Sequence, residues 1–234
     1  MAYQLYEFEE IKRFMKQTLI LFPFFLMTIL VGHTQENKPS DFIPERYTEF
    51  SKQFEDLNND GQDDCILIIK KVDSTNVVIN RFDQKVDRNR RGIIVLFKNG
   101  KNYELALQNY SCFASENEDG GVYFAPELSL EFERGNLIIH YGHGRYGYWR
   151  YIFRYQNANF ELIGYDESNG GVVVSSEVSI NFLTKKKLTR ENINEDAHQG
   201  GDEIFEETWE NIEIEHLIKL SEIKDIDELD MYKY

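Results

Sequence analysis

The residues best suited to chemistry stand in one short run, Asp56-Leu57-Asn58-Asn59-Asp60-Gly61-Gln62-Asp63-Asp64. Oxygen-bearing side chains recur at alternate positions and a glycine follows the third. This is the D-x-[DN]-x-[DN]-G opening of a calcium loop, with a further carboxylate at the ninth position. A calcium ion takes six to eight oxygens at roughly 2.3–2.6 Å, and a tight loop that turns alternate side chains inward supplies them locally. On this reading Asp56, Asn58 and Asp60 give side-chain oxygens, Gln62 gives its backbone carbonyl, and Asp64 ligates directly or through water. Gly61 permits the reversal that a Cβ resists. The competing reading is an Asx-rich turn, whose side chains bond only their own backbone.

The loop resembles those of dockerins and of the FG-GAP and VCBS-type repeats of secreted β-propellers, in which D-x-N-x-D-G-x-x-D precedes an apolar strand; here that strand is Cys65-Ile66-Leu67-Ile68-Ile69. The resemblance implies a structural calcium ion. It departs from an EF-hand, because the twelfth position is Leu67 where a bidentate Glu would sit. More broadly, the stretch from 43 to 190, closing on Phe153-Arg154-Tyr155-Gln156 and Leu162 to Asp166, is similar to exported bacterial β-rich proteins. That likeness implies a fold and a compartment and no activity.

A second stretch, His140 to Arg150, holds three glycines, two histidines and four aromatics. On an unbroken strand His140 and His143 face opposite sides, so joint metal binding requires the glycines to bend the chain. Tyr146, Tyr148 and Trp149 are candidates for an aromatic platform that binds a sugar or peptide. The plainer reading is a glycine-kinked hairpin whose rings fill the core. Arg81, Lys85, Arg88, Arg90 and Arg91 form a basic island, and its simplest partner is the acidic run at Glu116, Glu118 and Asp119, as surface pairs worth little. Cys65 and Cys112 are either disulfide partners in an oxidising compartment or two buried, reduced thiols. The chain contains no G-x-S-x-G, H-E-x-x-H or P-loop, so an enzyme is not the favoured expectation.

These groups must be held by strands. Short runs rich in Ile, Val, Phe and Tyr, each closed by Gly, Asn or Asp, predict strands at 65–72, 92–97, 103–110, 128–133, 137–141, 148–155 and 160–166, with a weaker pair at 178–183 and 187–189. Residues 190–202 read as a loop, 203–229 fit a strand or a helix, and 225–231 suit a short final helix. The expected fold is mainly β: a curved antiparallel meander, sandwich or partial-propeller-like, with minor helix at the termini. No repeat supports a complete propeller.

Ahead of this body, Leu19 to Val31 is too short an apolar run for the ~20 residues a membrane span needs. Residues 1–35 read instead as a signal peptide, with Met15 as a candidate natural start, 36–46 as a polar leader with few contacts, and 47–234 as one domain. The formal charge of -15, from 26 basic against 41 acidic residues, argues against nucleic acid as a partner. The expectation is a periplasmic or secreted calcium-binding β domain, a structural or binding module at the cell envelope. Its partners would be calcium and a glycan or envelope protein, with no transmembrane helix after cleavage. The alternative is a carbohydrate-binding or carbohydrate-active domain built on Tyr146 to Trp149.

Overall fold

Two kinds of apolar pattern give two different sheets. The computed structural model describes residues 36–119 and 125–234, so the expected signal segment lies outside the described residues. The chain from Asn37 onward begins with β1 (Tyr47–Glu55) and β2 (Asp64–Lys71), followed by a small hairpin of β3 (Val77–Ile79) and β4 (Lys85–Asp87). Then come β5 (Arg91–Asn99) and β6 (Asn102–Phe113). The remaining strands are β7 (Glu127–Glu133), β8 (Asn136–Gly142), β9 (Gly147–Gln156), β10 (Asn159–Gly170), β11 (Val174–Asn181), β12 (Lys186–Asn192) and β13 (Phe205–Asn211).

β1, β2, β5 and β6 form a four-stranded sheet in that order, and β7 to β13 form a seven-stranded meander. All pairings are antiparallel. Ile66, Ile68, Ile93 and Val95 of the smaller sheet share one core with Leu137, Ile139, Phe153 and Phe160 of the larger. The fold is therefore a mainly β, antiparallel sandwich, with helix among the described residues confined to short 3-10 turns.

The continuous apolar runs of β2 and β5 mark strands buried on both faces. Their second face, Cys65, Leu67, Ile69, Ile94 and Leu96, is covered by Phe42, Ile43, Tyr47, Tyr103 and Tyr110. The leader is thus a strap with firm contacts, contrary to the sparse contacts expected of it. Asn37 seats it on β6: its side chain donates to the Tyr103 carbonyl at 2.8 Å and accepts from the Tyr103 amide at 2.6 Å.

The cysteines do not bridge. Cys65 lies under the strap and Cys112 in the core on the opposite face, both free and fully buried. Burial pushes the Cys65 thiol up to about 11, so it behaves as a small hydrophobe.

At the other end of the chain, the expected short helix is only a 3-10 turn, Ile226–Glu228. Leu220, Ile223, Ile226 and Met231 plug the core, and Asn109 holds them there by donating to the Leu220 and Ile223 carbonyls at 2.8 and 2.7 Å. The closing segment joins the core largely without regular structure, its one strand being β13.

Candidate functional site

The 56–64 run becomes the β1–β2 connection, wound by its own side chains. Asp56 accepts from the Asp60 amide through one oxygen (3.1 Å) and from the Gly61 amide through the other (2.9 Å). Asn58 accepts from the Asp60 amide at 2.9 Å, and Asp60 accepts from the Gln62 amide at 2.8 Å. Asn59 and Gly61 take φ values of 60° and 85°, the left-handed region that Asn and Gly enter at least cost. A Cβ at Gly61 would meet no neighbour, so glycine serves the backbone there and not the packing.

The loop is tied to the sandwich at three points. Leu57 is buried in the core. Asp64 is fully buried, and its two oxygens accept from the Leu57 and Lys98 amides, each at 2.9 Å. Gln62 accepts from the Gly100 amide at 3.2 Å. In addition, a Cβ at Gly135 would lie 2.7 Å from Asn59 Nδ2, so the β7–β8 turn presses on the same loop. Burial pushes the Asp64 carboxyl up, and the charges of Asp60 and Asp56 add to that; the two amide hydrogen bonds oppose it.

Each oxygen engaged by a backbone amide keeps a second lone pair. The donors are hard oxygens at alternate positions of one turn, which is the chemistry of calcium and not of zinc or copper. Asp56 and Asn58 are half-buried and Asp60 is exposed, so a solvent ion reaches them. Among the described residues, no three His, Cys, Asp or Glu side chains converge as a ready metal group. Asp64 is set apart from the others by its role as the clasp to β5. In donor type Asp56, Asn58 and Asp60 match a hard divalent cation.

The aromatic stretch is dispersed. Gly147, at φ 120°, lies so close to β10 that a Cβ would meet the Ser168 carbonyl oxygen at 1.8 Å, and this contact bends the chain into β9. Trp149 turns inward and stacks on Tyr141 at 5.5 Å with 14° between the planes. Tyr148, one residue earlier, faces outward against His140 at 5.6 Å. Tyr146 sits in a 3-10 turn beside His143 at 5.4 Å. Tyr146, Tyr148 and Trp149 therefore make no common platform, and the alternation of side chains along a strand is the reason. The histidines are also separate: His140 Nδ1 lies 3.2 Å from Ser129 Oγ and 3.3 Å from Glu131 Oε1, while His143 opens the turn.

Two members of the basic island pair with the acidic run as expected, Arg88 with Asp119 at 2.5 Å and Arg91 with Glu116 at 3.8 Å, whereas Arg90 reaches Asp225 at 2.7 Å. The island is not all surface. Arg91 is buried, and burial pushes its guanidinium down from the usual arginine range. Lys70 of β2 is also buried and completes the cluster, at 2.5 Å from Glu116 and 3.3 Å from Asp87. The sequence concealed Lys70 because it ends an otherwise apolar run.

Compared with known protein families, with curated proteins and with solved structures, the chain matches none.

Proposed function

We propose that this is an exported structural or binding module of the cell envelope, periplasmic or secreted, whose 56–64 loop takes a calcium ion that stabilises the fold. Asp56, Asn58 and Asp60 would supply side-chain oxygens, Gln62 its carbonyl, and Asp64 a contact direct or through water. The observation that supports this reading is the placing of Asp56, Asn58 and Asp60 at alternate positions of one solvent-reached turn clasped to the sandwich through Leu57, Asp64 and Gln62; the bonds of Asp56 to the Asp60 and Gly61 amides belong equally to an Asx-rich turn, and the titration below separates the two. That winding puts the alternate donors on a single turn, at the place where three connections meet. An ion held there would fasten β1, an edge strand exposed over nearly its whole length, to the rest of the sandwich. Binding to the folded state alone stabilises it by mass action.

Calorimetric titration of the metal-free protein with calcium chloride tests the reading. One saturable site, lost in Asp60→Ala, supports it; no heat above dilution in either protein overturns it. The amide-rich, hydroxyl-poor loop gives no comparable reason to expect a catalytic role.

A further inference from the structure

The seven-stranded sheet turns one face to the core and the other to solvent. Pairing registers place residues of all seven strands in rows across that outer face. One row runs Ser129, His140, Arg150, Asp166, Ser179, Leu188 and Trp209. The next row includes Tyr148, Ser168, Glu177, Arg190 and Glu207. Between them lies a cleft of about 220 Å³ lined by Tyr148, Asp166, Glu177, Ser179, Leu188 and Arg190.

Three features of the cleft and the face around it point to one ligand chemistry. The first is charge. Arg190 reaches Glu177 at 2.5 Å and Glu207 at 3.3 Å, Arg150 reaches Glu131 at 3.2 Å, and Asp166 accepts from Ser179 at 2.7 Å. Both guanidiniums are thus paired and the carboxylates outnumber them, so the face offers an anion nothing, while Asp166, met only by the Ser179 hydroxyl, is left to accept from a ligand rich in hydroxyls. The second is unused hydrogen-bonding capacity. The Tyr148 hydroxyl makes no hydrogen bond among the described residues, and Asp166 is engaged through one oxygen only. Burial, with Asp166 and Glu177 beside it, pushes the Tyr148 phenol up, so it remains a neutral donor.

The third feature is aromatic. Trp209 is 61% exposed and lies on the same face, in register with Leu188; Phe205, two positions beyond Glu207, carries the Arg190 guanidinium over its ring at 4.3 Å. Flat rings with polar neighbours stack against the C–H faces of a pyranose while carboxylates and guanidinium take its hydroxyls. The cleft is smaller than the ~300–1,000 Å³ of sites for drug-sized ligands, which limits it to about one ring. Trp209 lies one strand spacing, about 4.8 Å, beyond Leu188 at the edge of the cleft, so a ligand that fills the cleft with one ring and also stacks on Trp209 must hold at least two linked rings.

We infer that the outer face of the β9–β13 sheet binds a neutral polysaccharide, with one sugar ring in the Tyr148–Asp166–Arg190 cleft and a later one on Trp209. The site shares only Tyr148 with the aromatic stretch around Gly147 and does not depend on calcium. Affinity electrophoresis of the full chain through gels holding soluble β-glucan, xylan, mannan or starch tests it. Retardation is expected in at least one gel, weakened about tenfold in Trp209→Ala and in Asp166→Asn, as the loss of one stacked ring or one hydroxyl partner implies. It should persist in 0.5 M sodium chloride and in chelator. Trp209 is exposed, so its variant keeps the fold. Unchanged mobility in all four gels overturns the inference, as does retardation that both variants retain. Retardation abolished by salt would mark an ionic contact with the gel polymer and not recognition of a neutral sugar, and would overturn it equally.

Discussion

The two sheets of this sandwich solve the same problem differently. The outer face of the four-stranded sheet is apolar, and the 37–46 strap seals it, leaving Cys65, Leu67, Ile69, Ile94 and Leu96 all fully buried. The outer face of the seven-stranded sheet carries Glu131, His140, Arg150, Asp166, Ser179 and Arg190, half-buried or exposed. A face that is sealed contributes stability, whereas a face of oriented polar groups costs little to keep open and, on the inference above, takes the ligand. The comparison thus divides the molecule into a sheet that holds and a sheet that presents.

Substitutions sharpen that division, and the largest effect belongs under the strap. Ile94→Ala should cost about 2–5 kcal/mol in urea unfolding, the usual penalty for truncating a buried branched residue. Trp209→Ala on the presenting sheet should stay within about 0.5 kcal/mol. Equal losses in the two variants would erase the distinction.

A smaller effect tests the strap itself. Asn37→Ala removes two hydrogen bonds to Tyr103 and a third that its amide makes to Asn102 depends on the same seat, so the cost should be about 1–3 kcal/mol. In the unaltered protein a thiol reagent at neutral pH should leave Cys65 unmodified until denaturant is added, since burial raises its thiol to about 11. In Asn37→Ala its modification should be faster. A non-reducing gel of the denatured protein should show no Cys65–Cys112 bridge.

The smallest effect is electrostatic. The Thr75 hydroxyl and amide, with Lys71 beyond them, hold the Asp73 carboxyl down to about 2. A depressed carboxyl adds stability above its unfolded value of 3.8, and loses that contribution as pH falls toward 2. An NMR titration should place the Asp73 midpoint near 2, and Asp73→Asn should make unfolding slightly less sensitive to acid over that window.

The same contrast explains what the sequence made legible. Unbroken apolar runs such as Cys65 to Ile69 and Ile93 to Phe97 announced β2 and β5, and alternating runs announced β8 to β10. β1 was hidden because Tyr47-Thr48-Glu49-Phe50-Ser51-Lys52-Gln53-Phe54-Glu55 is an edge strand with almost no buried position, so pairing with β2 and not burial defines it. β13 was ambiguous for the same reason. The β3–β4 hairpin arises from three-residue strands too short to show a period.

Of the candidate sites, the calcium loop was readable because its donors are neighbours in sequence. The cleft was not, because Tyr148, Asp166, Ser179 and Arg190 meet only through the register of four strands. The separation of Tyr148 from Trp149 follows from strand alternation, yet the glycine bend that sets which ring faces inward needed the contact between Gly147 and Ser168.

Thermal unfolding in millimolar calcium against excess chelator tests the calcium assignment most directly. If the ion is present at about 100 times its Kd, the ~2.7 kcal/mol of mass-action stabilisation should raise Tm by roughly 5–10 °C for a domain of this size. Asp60→Ala should abolish the shift. A Tm that is the same with and without calcium, in both proteins, would contradict the account.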